Sequence, residues 1–545
     1  MREPLAPSDA IWLQDSPANP MVINALLLTE RLDLETLRRA FQARIFEGPG
    51  AGRFERLRCS LAGQGRRRCW ERDPGFDLAR HIVPWDGQAQ PSLEALKTSL
   101  GQEIGRSLDP AHPRWRIQLL EAYATDTSAV LVRFHHSICD GQSLIRLLFE
   151  MADGPGAPES PMARRPACPS ARPGGPRRWL KAVEIPFLAP GILLRLLTWL
   201  PDRSPMHGPS LSGTKQVAWT CPLDLEVVKQ AKRRAGATVN DVLMATVAGA
   251  FSTYLAGQGG ATPARFLVSM PVDVRPPGEK PRCENRFAAV PLALPAGQDP
   301  LAQRILAVKA AMDRMKHAAV PLVINGLQRG LLAALPGAVS RRLIDFLANK
   351  CTAVVTNIIG PDHPFTMAGR RVHSLLFWVP QRARIGVGIS ILSFNGKVQL
   401  GVLADAALVP DPAHLAQAFE QEFEALRALL PEAGPEFREG GVQLVGDRMA
   451  MPARGPKAIP DPAGAVFQEL LAQGKAMLLQ DGAQGPLAVP QAFPGLVIAD
   501  LADLAPGMEA EQVGEEAVLR GLRLEQDEVC GGVVMGGALD PHGHA

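Results

Sequence analysis

At 545 residues the chain is long enough for two or three domains with sizeable cores. Its 46% hydrophobic and 21% charged residues are ordinary for a soluble globular protein, and a net charge of +3 argues against general nucleic-acid binding. Eight cysteines without a CxxC pair point to reduced thiols in a cytoplasmic setting.

The N-terminus, MREPLAPSDAIW, has no apolar run after its one arginine and is not read as a secretory signal. Residues 22–28 read as a short strand. A helix follows, with Asp33 as N-cap and Leu34, Leu37, Phe41 and Ile45 as its buried stripe. His81 reads as an ordinary surface or strand-edge histidine, and Trp115 as core filling beside a strand.

The segment 127–149, TSAVLVRFHHSICDGQSLIRLLF, organises the rest. Val130, Val132 and Phe134 alternate on one face of a strand. A polar break, His135-His136-Ser137-Ile138-Cys139-Asp140-Gly141, follows, and Leu144, Leu147 and Leu148 return at helical spacing. A rigid strand–loop–helix aims side chains well, and an imidazole titrating near neutrality can take a proton from a hydroxyl as its oxygen attacks a carbonyl. Asp140 can hold the loop or pair with a cation, and Gly141 leaves room beside the backbone. Two other readings stay open. A metal site on either histidine with Asp140 needs a further ligand, and no second cluster at metal-like spacing appears. The histidines can also be hydrogen-bonded core residues at a strand end.

Pro, Gly, Ala and Arg dominate 154–176, the composition of a linker, and the apolar stretch 183–200 is interrupted by Glu184, Pro186, Pro190 and Arg195. That stretch falls short of a spanning helix and suits an amphipathic interfacial anchor or packing on the protein. Residues 215–223 read as a strand and 225–235 as a helix closed by Gly236. Thr238 caps the next helix, with Asp241 three residues on in an approximate capping box. Asn240 and Asp241 are thereby explained as first-turn residues. Residues 266–276 form a strand ending in Asp273-Val274-Arg275. Asn395-Gly396, between two alternating apolar runs, signals a hairpin. A helix at 412–430 closes this half, and beyond 432 the chain is broken by Pro and Gly apart from a short amphipathic helix at 468–479.

FHHSICDGQSL resembles the HHxxxDG motif of condensation-domain and chloramphenicol-acetyltransferase-like acyltransferases. Further blocks narrow the resemblance to the bacterial wax ester synthase/acyl-CoA:diacylglycerol acyltransferase family. They are LAPSDAIWLQDSPANPM at 5–21, FDLARH at 76–81, LDPAHPRWRIQLL at 108–120, GATVNDVLMATVAGAFSTYL at 236–255, ENRF at 284–287, TNIIGPDHPFTMAGRRV at 356–372 and GVGISILSFNGKVQLGVLADAALVPDP at 386–412. Ala6, Arg114 and Glu284 depart from the family's usual serine, leucine and glycine.

The resemblance implies an α/β fold: two chloramphenicol-acetyltransferase-like subdomains, mixed sheets flanked by helices, with an active-site channel between them. The expected domains are 1–153 with the motif, 154–212 as linker and apolar segment, 213–432 as the second subdomain, and 433–545 as an extension of unread role. It implies an O-acyltransferase that uses acyl-CoA as substrate and no cofactor or metal, with diacylglycerol or a long-chain alcohol as acceptor, held peripherally at a membrane or lipid inclusion. His136 would be the general base, His135 the loop's support, Asp140 a geometric anchor through Arg275, and Gly141 the place of close approach. Asn240 and Asp241 are channel or structural candidates, and Asn285 a positioner of substrate or loop. A related acyltransferase with another acceptor and a non-catalytic protein that coats lipid inclusions remain as alternatives.

Overall fold

Several helices in this chain begin where a short polar side chain satisfies an unpaired amide of the first turn. Asp33 accepts from the Thr36 amide, Ser92 from Ala95, Asp140 from Ser143 and Asp224 from Glu226. Thr238 and Asp241 form a reciprocal capping box at the head of the buried helix Val239–Gly257. The turns follow the same local logic: Asn395 and Gly396 carry φ of 48° and 71° across the hairpin, and Gly236 takes φ 55° after the helix Leu225–Arg234. The computed structural model describes residues 2–430 apart from 86–91, 154–189, 203, 209, 261, 276–281, 298–299, 318–319 and 336. The expected linker 154–176, the helix 468–479 and the extension 433–545 lie outside the described residues.

Two mixed sheets carry these helices. The first orders its strands Thr366–Met367, Arg370–Trp378, Val22–Glu30, Thr127–His135, Trp115–Ala124 and Ile82–Pro84. The second runs Phe287–Pro295, Arg265–Asp273, Ala353–Ile359, Val387–Phe394, Lys397–Asp405 and Lys215–Trp219, with Leu223–Asp224 also pairing to Lys397–Asp405. Apolar side chains on the second sheet pack with the helices Val239–Gly257, Leu301–His317 and Pro412–Ala428 in one core. The first sheet is apolar on both faces. Leu27, Val130 and Phe134 belong to one core, while Leu26, Leu131 and Trp378 join a second core with Val217 and Leu403 of the other sheet. The two sheets are therefore joined by packing as well as by chain.

Three expectations change. The sheets do not divide at the linker, because Arg370–Trp378, from the second half, pairs antiparallel with Val22–Glu30. The boundary 213–432 thus does not enclose a self-contained subdomain. The strand expected at 215–223 breaks after Trp219, where the Cys221 amide leaves the ladder for Glu420 Oε1 at 2.6 Å and Pro222 has no amide hydrogen to donate. His81 is buried, sandwiched by Phe76 and Trp115, with Nδ1 2.9 Å from the Trp115 carbonyl oxygen.

Part of the apolar stretch is visible as a helix at 190–198. The Lys350 ammonium donates to the carbonyls of Leu196, Leu197 and Trp199 at 2.7–2.9 Å and so fixes the end of this segment. Among the described residues no helix is long and apolar enough to cross a membrane.

Candidate functional site

The strand Thr127–His135 delivers the motif to the edge of a cavity of about 260 Å³ lined by both halves of the chain. Trp12, His136, Asp140, Gly141, Arg275, Asn285 and Phe287 line it, and most of the remaining wall is apolar. His136 sits flat against Trp12, with ring centroids 3.8 Å apart and planes 8° from parallel. Phe287 lies tilted beside the same ring at 5.6 Å.

The hydrogen bonds around His136 assign its tautomer. Asn285 Nδ2 donates to the His136 carbonyl oxygen at 2.7 Å and to Asp9 Oδ1 at 2.9 Å, both of which can only accept. This orientation of the amide leaves Asn285 Oδ1 as the atom 2.9 Å from His136 Nδ1. Nδ1 must then carry the proton and donate, and Nε2 is left with the lone pair. Asp9 is held in turn by Arg56, at 3.0 Å, which also reaches Glu3 and the Ile138 carbonyl. Burial pushes the Asp9 carboxyl up to about 6, against the pull of the Arg56 guanidinium in the opposite direction. Burial also pushes the His136 imidazole down to about 4, so at neutral pH the ring is uncharged and ready to accept a proton. An NMR titration should accordingly find His136 unprotonated from about pH 8 down to about pH 5, whereas a midpoint near the ordinary value of about 6.5 would mean a solvated ring.

His135 does a different task from its neighbour. The Ser137 amide donates to its Nδ1 at 3.2 Å, so Nε2 carries the hydrogen and donates to Asp15 Oδ2 at 2.8 Å. Asp15 also accepts from the Met21 amide. His135 is buried and is not among the residues lining the cavity, and its bonds to Asp15 and Ser137 hold the loop.

Asp140 caps the helix Gly141–Met151 through its bonds from the Ser143 amide and hydroxyl, and its other oxygen lies 2.7 Å from Arg275 Nη2. The Arg286 amide donates to that second oxygen as well. Arg275 is splinted by Asp273 and donates to the Glu284 carbonyl. The pair thus ties the motif loop to the end of Arg265–Asp273 and to the segment carrying Asn285. Gly141 lines the cavity at the start of the helix, where a Cβ would come within 3.1 Å of Ile358 Cδ1.

The remaining candidates act at a distance. Asn240 does not line the cavity; its Oδ1 accepts from Asn357 Nδ2, and Asn357 does line it. Asp241 is buried in its capping box and is likewise outside the lining. Asp9, Trp12 and Asp15 were not singled out in the sequence, although all three lie in the N-terminal block that was. Among the described residues no three His, Cys, Asp or Glu side chains converge as a metal ion would require.

Comparison with known proteins agrees in family across most of the described chain. The wax ester synthase/diacylglycerol acyltransferase catalytic domain matches residues 5–188, and the C-terminal domain of the same family matches residues 283–427. A putative diacylglycerol O-acyltransferase of Mycobacterium tuberculosis is 28% identical over 400 residues, covering 68% of this chain and 78% of that protein. The wax ester synthase/diacylglycerol acyltransferase of Marinobacter aquaeolei VT8 superposes with a TM-score of 0.55 at 20% identity, over 78% of this chain and 99% of that one. The first condensation domain of the calcium-dependent antibiotic synthetase, in complex with a substrate analogue, superposes with a TM-score of 0.51 at 17% identity, over 79% and 96%. These two structures share the fold of two mixed sheets flanked by helices.

Proposed function

The chain belongs to the wax ester synthase/diacylglycerol acyltransferase family, and from that premise we propose a mechanism for its acyl transfer to diacylglycerol or a long-chain alcohol. The donor is an acyl-CoA thioester, used as substrate, and the reaction needs no cofactor. The acceptor hydroxyl gives its proton to His136 Nε2 as its oxygen bonds to the thioester carbonyl carbon. The carbon–sulfur bond then breaks, and the departing CoA thiolate takes that proton back. The products are triacylglycerol or wax ester and free CoA.

The observation that carries this reading is the neutral His136 ring at an apolar cavity wall, with Nδ1 committed to Asn285 and Nε2 left as base. Its depressed basicity keeps it unprotonated but makes it a weaker acceptor of protons. The imidazolium that forms in mid-reaction therefore needs help. Asn285 Oδ1 accepts from its Nδ1–H, and the Asp9 carboxylate behind Asn285 aligns that amide. Proton transfer of this kind supplies about 10²–10⁴-fold, and holding two long apolar substrates against each other supplies much of the remainder. Trp12 and Phe287 shield the ring from water.

A thiol-release assay with long-chain acyl-CoA tests the reading, with a fatty alcohol and diacylglycerol offered in parallel. Release that depends on either acceptor and yields the matching ester is expected. Lipid association without acceptor-dependent CoA release would instead make this a lipid-binding protein. The acceptors are insoluble in water, and the wall of the cavity offers a route to them. The helix at 190–198 turns Leu193 and Leu196 into the cavity while Leu194 stands 62% exposed and Leu200 just beyond it 74% exposed. A helix apolar on both sides fits peripheral contact with a membrane or lipid inclusion. Flotation of the protein with lipid vesicles, lost when Leu194 and Leu200 are both replaced by glutamine, is the expected result.

A further inference from the structure

On the acyl-transfer reading His136 is charged only in mid-reaction, and burial disfavours that charge. The charged groups nearest to it are engaged elsewhere: Asp140 with Arg275, Asp9 with Arg56, and His135 with Asp15. Asn285 meets the ring at its edge, through Nδ1. The face of the ring belongs to Trp12, 3.8 Å away between centroids and 8° from parallel. The chain itself places the indole there. The short helix Pro7–Ala10 runs on into a 3₁₀ turn, Ile11–Leu13, and residues three apart along such a run share a face. Asp9 and Trp12 are so spaced. Asp9 takes the hydrogen bond of Asn285 behind the ring, and Trp12 covers the ring. Phe287, 5.7 Å from the indole and tilted 32° to it, packs against both. A stack covers a face and leaves the edge free, so Nδ1 keeps Asn285 and Nε2 stays open to the acceptor hydroxyl.

We propose that Trp12 is a positioning residue for the reaction, whose indole face stabilises the His136 imidazolium by a cation–π contact as the acceptor's proton arrives. The inference rests on the acyl-transfer reading and adds to it what meets the charge of the base. In that step the acceptor's O–H bond breaks and its proton goes to Nε2. The electron pair left on oxygen forms the bond to the thioester carbonyl carbon. The ring gains a full positive charge, spread over its atoms, beside a wall that is mostly apolar. An indole presents a negative face, the strongest among the aromatic side chains, and attracts a cation within about 6 Å of its centroid. At 3.8 Å the imidazolium sits well inside that range. The neutral ring gains only ordinary stacking from the same contact. The attraction therefore grows with the charge and acts on the transition state more than on the resting enzyme. It is stronger where water does not compete, as at a stacked face. An aliphatic side chain of similar bulk at position 12 would exclude water as well and supply none of this attraction.

The test places fluorinated tryptophans at position 12 alone, by a suppressor transfer RNA in the full chain, since eight tryptophans rule out global labelling. One, two and three fluorines on the six-membered ring withdraw density from the face in steps while its shape barely changes. The single-turnover rate of acyl transfer at saturating substrate should fall in the same steps, to about a tenth for the trifluoro ring. The half-saturating concentrations of donor and acceptor, and the thermal melt, should not move. The same labels at Trp115, which stacks on His81 at 4.5 Å and does not line the cavity, should leave the rate unchanged. Trp12→Leu should lose at least as much as the trifluoro form. A rate that stays flat along the fluorine series overturns the proposal and leaves Trp12 a shield, even where Trp12→Leu is slow. Weaker saturation with an unchanged rate overturns it too, and makes the indole a wall of the substrate site. Failure of the unmodified protein to release CoA from any donor would remove the acyl-transfer reading itself, whereas an active protein with a flat series removes the role of Trp12 alone.

Discussion

Replacing His136 with alanine is expected to lower kcat/KM for acyl transfer by about 10²–10⁴-fold while the protein stays folded. The loss follows from chemistry: without Nε2, no group takes the proton of the acceptor hydroxyl as its oxygen attacks. The fold survives because the ring lies at a cavity wall and not deep in packed core. Its removal strips Trp12 of a stacking partner and leaves Asn285 Oδ1 without its donor, a cost of about 1–3 kcal/mol if no water replaces it. The existing cavity gives water a way in, so the melting temperature should drop by only a few degrees. Steady-state thiol release and a thermal melt on the same preparation check both halves. Added imidazole should restore part of the rate, because the deleted ring leaves its own shape in the wall. Full activity in the alanine variant would refute the base assignment, and a loss that tracks unfolding would make His136 a structural residue.

How much of this was legible in the sequence depends on how far apart the interacting residues lie. The caps at Asp33 and Thr238, the Asn395-Gly396 turn and the strand–loop–helix around His136 rest on neighbours a few positions away, and local chemistry decides them. Burial of His81 turns on rings 5 and 34 residues distant, and composition around position 81 carries no sign of them. The crossing of Arg370–Trp378 into the first sheet has the same character: its alternation announces a strand without naming the partner. At the site, Arg275 was reached only because the family resemblance calls for a cation opposite the motif aspartate. Asp9 and Asp15 each meet their histidine's environment from more than a hundred residues away, and an acidic residue near the N-terminus looks like any solvated one. The signal that could have found them is their position inside the block at 5–21, where two aspartates stand among apolar residues.

The buried ion pair gives the second large effect, this time on stability. Arg275 and Asp140 keep only 2% and 6% of their side-chain surface, and each is bound to more than the other. Replacing Arg275 with methionine strands the Asp140 carboxylate with its Ser143 and Arg286 donors but no countercharge. Such removal of one member of a buried pair costs about 3–5 kcal/mol. In a protein whose whole margin is about 5–15 kcal/mol, the expected result is a large fall in the denaturation midpoint, and turnover should fall with it because the loop holding His136 loosens. Asp140→Asn with Arg275→Met should recover much of the stability of either single change, since the pair's own attraction is largely offset by desolvation of both charges. Activity should not recover in parallel, because the link between the motif loop and the segment carrying Asn285 is gone. Chemical denaturation of the four proteins closes the thermodynamic cycle. If the double variant is as unstable as the sum of its parts, the two side chains act independently, and the pair is not what locks the loop.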